Sequence, residues 1–427
     1  MSIKRRDFIN LSAIAAGTGM IAGLSSFSKE KTNNPFYSSS NLLPNLTVDI
    51  VPISKQERMS RIEKAQRLMK EQHMEAIVLD AGTSTKYFTG VSWWPSERPM
   101  VVVIPAKGEV SYICPGFEEG RLRELITIGT AVYVWQEDES PYLQVVKAIK
   151  GAAISKGTIG IEERVRFFIM DGIRKEAPQL QYVSADAVTI PCRMIKSANE
   201  LALMQKANDI TVAAIKIGIS KLAEGMTPAD FGNIVSDAHA QMGATPDFAG
   251  VNFAQASAFP HGSVQPQHLK KGDIVLMDCG GTVEGYCSDI SRTIVFGAPP
   301  TKRQLEIWNL EKKAQAAGFA AALIGNPCEA VDAAARKVIT DAGFGPGYKL
   351  PGLPHRTGHG IGMDGHEWGN MVKGNKQLLQ PGMCFSVEPN ISIIGEFGVR
   401  LEDCAYITAD GAKWFSQPSP SIEQPFA

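Results

Sequence analysis

The chain has 427 residues, 44% hydrophobic and 20% charged, enough to bury a large core and, by length, to form two or three domains. Lys and Arg number 43 against 44 Asp and Glu, a formal net charge of −1 with the signs mixed along the chain. That balance excludes the basic footprint of a nucleic-acid binder and leaves a small or peptide-like substrate as the default.

The first thirty residues open with Lys4, Arg5 and Arg6 and run on into an apolar stretch from Leu11 to Leu24. The stretch is too short and too rich in Ala and Gly for a membrane span. Arg5-Arg6-Asp7-Phe8 resembles a twin-arginine export signal. The resemblance implies a signal segment at 1–28, a periplasmic or other extracytoplasmic location, and membrane contact only if the segment stays uncleaved. A plain secretory signal or an anchor is the alternative. Residues 29–50, with Asn-Asn-Pro and three consecutive serines, read as a linker.

Apolar residues at helical spacing predict a helix over 54–73, followed by a buried strand at Ala76–Leu79. Met100–Ile104 and Glu109–Cys114 read as strands around a Pro-Ala-Lys-Gly turn. Strand and helix signals alternate to about 190, so 51–190 reads as an α/β domain. Ser197-Ala198-Asn199-Glu200 is a capping box that opens a second unit, 195–427, and Thr227-Pro228 starts its next helix. Strands at 273–279 and 288–296 flank Gly280–Gly285, which predicts a hairpin with a long loop. Helices are predicted over 302–323 and 328–342, and strands from Cys384 to Thr408. Seven scattered cysteines without a C-x-x-C pair make no disulfide framework, although one disulfide stays open.

Isolated acids interrupt apolar strand runs in the second unit. Asp278 closes Ile274–Met277, Asp289 opens the return strand, Glu388 ends Phe385-Ser386-Val387, and Glu402 follows Val399-Arg400-Leu401. A buried carboxylate costs several kcal/mol unless it is paired or metal-bound. The stretch 355–367, HRTGHGIGMDGHE, adds three of the chain's seven histidines. Four carboxylates and one imidazole are mostly hard donors and suit manganese, iron, cobalt or zinc. They carry enough charge for two divalent ions sharing bridging carboxylates, about 3.5–4 Å apart with a hydroxide between them.

These segments, with Pro260-His261-Gly262 and Gly398–Asp403, resemble the pita-bread metallopeptidases: Xaa-Pro dipeptidases, aminopeptidase P and methionine aminopeptidase, with the metal-free creatinases as relatives. The resemblance covers about 195–410, and 51–190 resembles the creatinase-type N-terminal domain. It implies an α/β (α+β) chain whose catalytic domain is a curved antiparallel sheet covered by helices. It further implies Asp278, Asp289, His359, Glu388 and Glu402 as ligands of two metal ions, manganese foremost, with Asp289 and Glu402 bridging and Glu388 also handling the proton. His261 and His366 match substrate-side histidines. His355 matches an extra histidine of the proline-specific members, and Arg400 an arginine beside the bridging glutamate, both assigned to the substrate side.

The implied activity is removal of the residue before proline from a proline-containing peptide, by a homodimer. The complete ligand set argues against the metal-free branch and against a non-enzymatic binding module. A metal-dependent lyase or small-amide hydrolase stays open, because Trp368-Gly369 and Asn390 depart from the residues many members carry there. Gly358, Gly360 and Gly362 are expected to let the backbone pass close to metals and substrate. His239, His268 and Cys279 read as structural. Trp93-Trp94-Pro95 reads as core or a loop tip that caps the partner's site, and Arg98 as a reader of a substrate carboxylate.

Overall fold

The computed structural model describes residues 42–426; the export-signal reading of 1–28 lies outside the described residues. Residues 42–426 belong to one compact unit. Among the described residues no helix is long and apolar enough to cross a membrane. The end of the stretch read as a linker is tied down: the Leu46 N–H donates to the Met242 carbonyl at 2.9 Å.

The first half runs α1 (Lys55–Glu71), β1 (Ala76–Asp80), α2 (Thr83–Thr89), β2 (Val101–Pro105), β3 (Ser111–Pro115), α3 (Glu119–Leu125) and β4 (Ala131–Trp135). It continues with α4 (Pro141–Gly151), β5 (Thr158–Ile161), α5 (Phe167–Glu176), β6 (Gln181–Ser184) and α6 (Asp186–Met194). Its six strands form one mixed sheet in the order β4-β3-β2-β1-β5-β6. The side-chain alternation of a strand splits β1 between two cores: Ile77 and Leu79 on one face, Ala76 and Val78 on the other. Helices cover both faces, and for that reason β1 reads as an unbroken apolar run.

The second half opens with α7 (Ala198–Ser220), α8 (Pro228–Gln241), β7 (Thr245–Phe253), β8 (Ile274–Val283), β9 (Tyr286–Cys287) and β10 (Ile290–Val295). Both bonds of the predicted capping box are present, Glu200 N–H to Ser197 Oγ at 3.2 Å and Ser197 N–H to Glu200 Oε2 at 2.8 Å. Then come α9 (Lys302–Ala320), α10 (Glu329–Asp341), β11 (Gly358–Gly360), β12 (Glu367–Met371), β13 (Cys384–Val387), β14 (Asn390–Ile393), β15 (Phe397–Arg400), β16 (Asp403–Thr408) and β17 (Gly411–Trp414). Every strand pairing here is antiparallel. β10-β8-β7 and β12-β11-β13-β16-β17 are the two larger sheets, joined where Ser291 bridges Glu402, and helices cover them. This is the implied architecture, a creatinase-like α/β domain followed by a pita-bread domain.

The predicted long hairpin loop is replaced by a tight one. β8 continues through Gly280–Val283, and the turn is Glu284-Gly285 alone, with φ of 54° and 84°. Two consecutive positive φ values are the signature of a two-residue turn matched to strand twist. The glycines that suggested a loop serve packing: a Cβ on Gly280 would lie 2.4 Å from Phe248 Cε1 and from the Ser288 carbonyl oxygen.

Candidate metal centre

Asp278 sits inside β8, directly across from Ser291 of β10. Asp289 precedes β10, Glu388 follows β13, and Glu402 fills the step between β15 and β16. His359 is the middle residue of β11. Five elements far apart in sequence therefore aim their side chains into one cleft of about 920 Å³, which all nine predicted site residues line.

His359 Nε2 lies 3.1 Å from Glu388 Oε1, 3.6 Å from Asp289 Oδ2 and 4.0 Å from Glu402 Oε1. His359 Nδ1 faces the Gly360 carbonyl at 3.1 Å, which leaves Nε2 turned to the acids. Ser291 Oγ receives a hydrogen bond from Arg400 Nε at 2.9 Å and stands 2.7 Å from Glu402 Oε2 and 3.2 Å from Asp278 Oδ1. Arg400 also bonds Asp278 Oδ2, and its Nη1 donates to the Pro260 carbonyl at 3.1 Å, beside His261. Arg400 thus fixes Asp278 and Ser291 while also lining the cleft.

The donor set fits a cation. Asp289 Oδ1 and Glu402 Oε1 are buried and meet no hydrogen-bond donor from the protein, a rare condition for carboxylate oxygens. Asp289, His359 and Glu402 each offer one ligand atom within 4.8 Å of the others. Burial, then the neighbouring carboxylates, push Asp289 and Glu402 well above the usual carboxylate range. Burial acts the same way on Glu388, but its hydrogen bond to His359 outweighs it and holds Glu388 down at about 2. Acids forced apart in this way relax when a divalent charge sits between them.

The other three histidines of the cleft behave differently. The His366 ring packs on His359 with centroids 4.0 Å apart, and burial, then His359, push it down to about 4. His355 holds Nδ1 2.7 Å from the Arg356 carbonyl, while its buried Nε2 has no hydrogen-bond partner. His261 is exposed on the cleft wall.

Several expectations change. Gly358 and Gly360 are also required by strand packing: an added Cβ would lie 2.0 Å from the Ser386 carbonyl oxygen at Gly358 and 1.9 Å from that of Trp368 at Gly360. Arg98 is not in the cleft; it pairs with Glu97 and Glu137 on the first half. Neither Trp368 nor Asn390 lines the cleft: the Trp368 indole donates to Glu163 at 2.7 Å, and buried Asn390 accepts from Ser392. All seven cysteines are buried free thiols. His239 is structural as expected, held between Thr211 Oγ1 and the Val235 carbonyl. Sequence reasoning missed Arg164, Asp247 and Arg356, which line the cleft, and Ser291, which bonds two of its acids, Asp278 and Glu402. A local signal existed only for Ser291, in its strand phase with Asp289.

Beside the cleft, Glu367 is buried between Lys196 Nζ at 2.9 Å and Arg193 Nη2 at 2.6 Å. Burial would raise its pKa, but these two cations hold it at about 2 against an ordinary 4.5. A depressed carboxylate stabilises the fold above its unfolded value and loses that contribution as pH falls towards the folded one. Between pH 5 and pH 2 the native chain should therefore lose about 3 kcal/mol through this group. Urea midpoints across that range will check it, with Glu367→Gln expected to lack that part of the slope.

Comparison with known proteins gives consistent matches. Residues 202–409 match metallopeptidase family M24, and 61–195 match the creatinase/prolidase N-terminal domain. An Xaa-Pro dipeptidase of Lactobacillus delbrueckii subsp. lactis is 30% identical over 370 residues, 85% of this chain and 98% of that protein. A prolidase structure from Thermococcus sibiricus superposes with a TM-score of 0.78 at 28% identity, over 85% of this chain and 98% of that one. An Xaa-Pro dipeptidase structure from Bacillus anthracis gives 0.75 at 27%, over 86% and 99%.

Proposed function

The chain belongs to metallopeptidase family M24, and from that premise we propose that it removes the residue preceding proline from short peptides, as an Xaa-Pro dipeptidase or aminopeptidase P type exopeptidase. The observation that carries this reading is the convergence of Asp278, Asp289, His359, Glu388 and Glu402 with three further histidines in one cleft. We assign the five to two divalent ions. Manganese is our first choice, because four of the five donors are hard oxygens. When bound, such ions supply Lewis acidity at the peptide carbonyl and a water acidified enough to attack near neutral pH.

The chain's own residues do the rest. Arg400 and Ser291 hold Asp278 and Glu402 in place, so the ligand acids need not reorganise. Glu388, at the cleft wall, takes the proton of the attacking water. It passes that proton to the proline nitrogen, which has no proton of its own in the peptide bond and must gain one to leave. His261 and His366 donate to the carbonyl oxygen as its charge grows. Arg164 and Arg356 line the same cleft, and a guanidinium there suits the free carboxylate of a dipeptide. The departures at Trp368 and Asn390 lie off the cleft and lend nothing to a lyase. Export rests on Arg5-Arg6 and fits an enzyme that folds around its metals before crossing. Homodimer formation is favoured by Trp94, Phe117 and Phe167, aromatic residues that the first half leaves exposed.

The test is a panel of Xaa-Pro dipeptides, Xaa-Pro-Yaa tripeptides and matched Xaa-Ala controls, with manganese-loaded and chelated chain. Proline-dependent cleavage that vanishes on chelation is expected, with dipeptides cleaved fastest. Cleavage of Xaa-Ala at equal rate, or none at all with metal bound, would overturn the assignment.

A further inference from the structure

We infer that the first half of the chain sets the position of His366, by gripping the residues on either side of it. This rests on the reading of His366 as a substrate-side histidine. Asp364, two residues before it, accepts at Oδ1 from Thr83 Oγ1 at 2.6 Å. Its Oδ2 accepts from Arg193 Nη2 and, at 3.0 Å, from Arg164 Nη2. Glu367, one residue after it, accepts at Oε1 from the same Arg193 Nη2 at 2.6 Å and from the N–H groups of Met363 and Asp364 at 3.0 and 3.2 Å. Thr83 starts α2, Arg164 lies between β5 and α5, and Arg193 stands one residue before the end of α6, so the hydroxyl and both guanidiniums belong to the first half.

The grip is stiff for a physical reason. Arg193 is buried, and Ser84 Oγ holds its other terminal nitrogen at 3.1 Å. A guanidinium taken out of water is compensated only while its geometry to both carboxylates is kept. A histidine that must meet a developing charge loses most of its value when displaced by about 1 Å. Asp364, Arg193 and Thr83 are therefore positioning residues that act through His366, and through them the N-terminal domain takes part in turnover without touching the metals.

A double-mutant cycle separates positioning from mere scaffolding. Asp364→Asn should lower kcat on Xaa-Pro substrate about tenfold with KM within about twofold, and Thr83→Val about threefold. In a His366→Ala background neither change should lower kcat further. Equal losses in both backgrounds, or no loss in the native one, would overturn the inference. A second readout needs no turnover. In histidine-labelled, zinc-loaded full chain, the imidazole NMR signals of His366, identified by their absence in His366→Ala, should shift or broaden in Thr83→Val while those of buried His239 stay put. Unmoved His366 signals would overturn the inference on their own. Shifted signals from a chain that cleaves no Xaa-Pro peptide would uphold the positioning and fail the proposed substrate instead.

Discussion

Asp289→Asn is expected to yield a chain that melts several degrees higher than the native one when both are metal-free, and that loses nearly all peptide hydrolysis when metal is supplied. Asp289 is buried, its Oδ1 lacks a donor, and Glu402, Asp278 and Glu388 crowd it with like charge. Its raised pKa fixes the sign. In metal-free protein, stability is present where Asp289 and Glu402 are protonated and falls as pH rises and ionises them, opposite to Glu367. Asn keeps the shape and removes the charge, so the metal-free fold gains while the proposed metal site loses one of its five donors. The several kcal/mol of transition-state stabilisation that such a site provides translate into a loss of about a thousandfold or more in kcat/KM. Thermal melts of chelated samples beside peptide assays will check both halves. A variant less stable than the metal-free native chain would show that Asp289 is a structural acid rather than a ligand held under strain. The pattern is the trade of stability for function expected where a fold stores like charges for a cation.

Arg292→Met should be the most damaging change outside the site, costing about 3–5 kcal/mol. Arg292 and Asp403 are both fully buried and bonded at 2.7 Å. Arg292 also donates to the carbonyls of Ser291, Glu402 and Gln417 at 3.0, 2.9 and 3.0 Å. Removing it leaves Asp403 charged, buried and held only by Ser416 and Gln315. The pair stands directly behind Ser291 and Glu402, so metal affinity should fall together with the unfolding midpoint. Arg292→Met combined with Asp403→Leu should recover most of the stability, because no buried charge is then left unpaired. Denaturant titration of the three proteins measures this; a double variant no better than the single would locate the damage in the lost backbone bonds.

The chemistry of this chain was legible where local pattern and chemistry coincide. An acid breaking an apolar strand run is visible within five residues, and four such breaks with His359 named residues that the fold brings into one cleft. The misreadings share one cause. Gly280, Gly281, Gly358 and Gly360 look like turn residues, yet they sit in strands because a neighbouring carbonyl or ring would meet a Cβ at or below about 3 Å. That requirement comes from the partner strand, which one sequence does not display. Arg164, Arg193 and Thr83 were silent for a related reason: their partners lie 171 to 281 residues away, and no periodicity encodes such a pairing. Trp368 and Asn390 were weighed as pocket residues from their closeness in sequence to His366 and Glu388. The structure instead ties the Trp368 indole to Glu163 and buries Asn390 against Ser392, contacts that no local pattern announces.

Asp278, Asp289, His359, Glu388 and Glu402 should together hold two divalent ions. The most direct test of that assignment is the equilibrium binding of manganese to the chelated full chain, followed by calorimetry and counted per chain. Two ions per native chain are expected, with tight binding lost in Asp289→Asn. A native chain that binds none, or binds equally well without the Asp289 carboxylate, would contradict it.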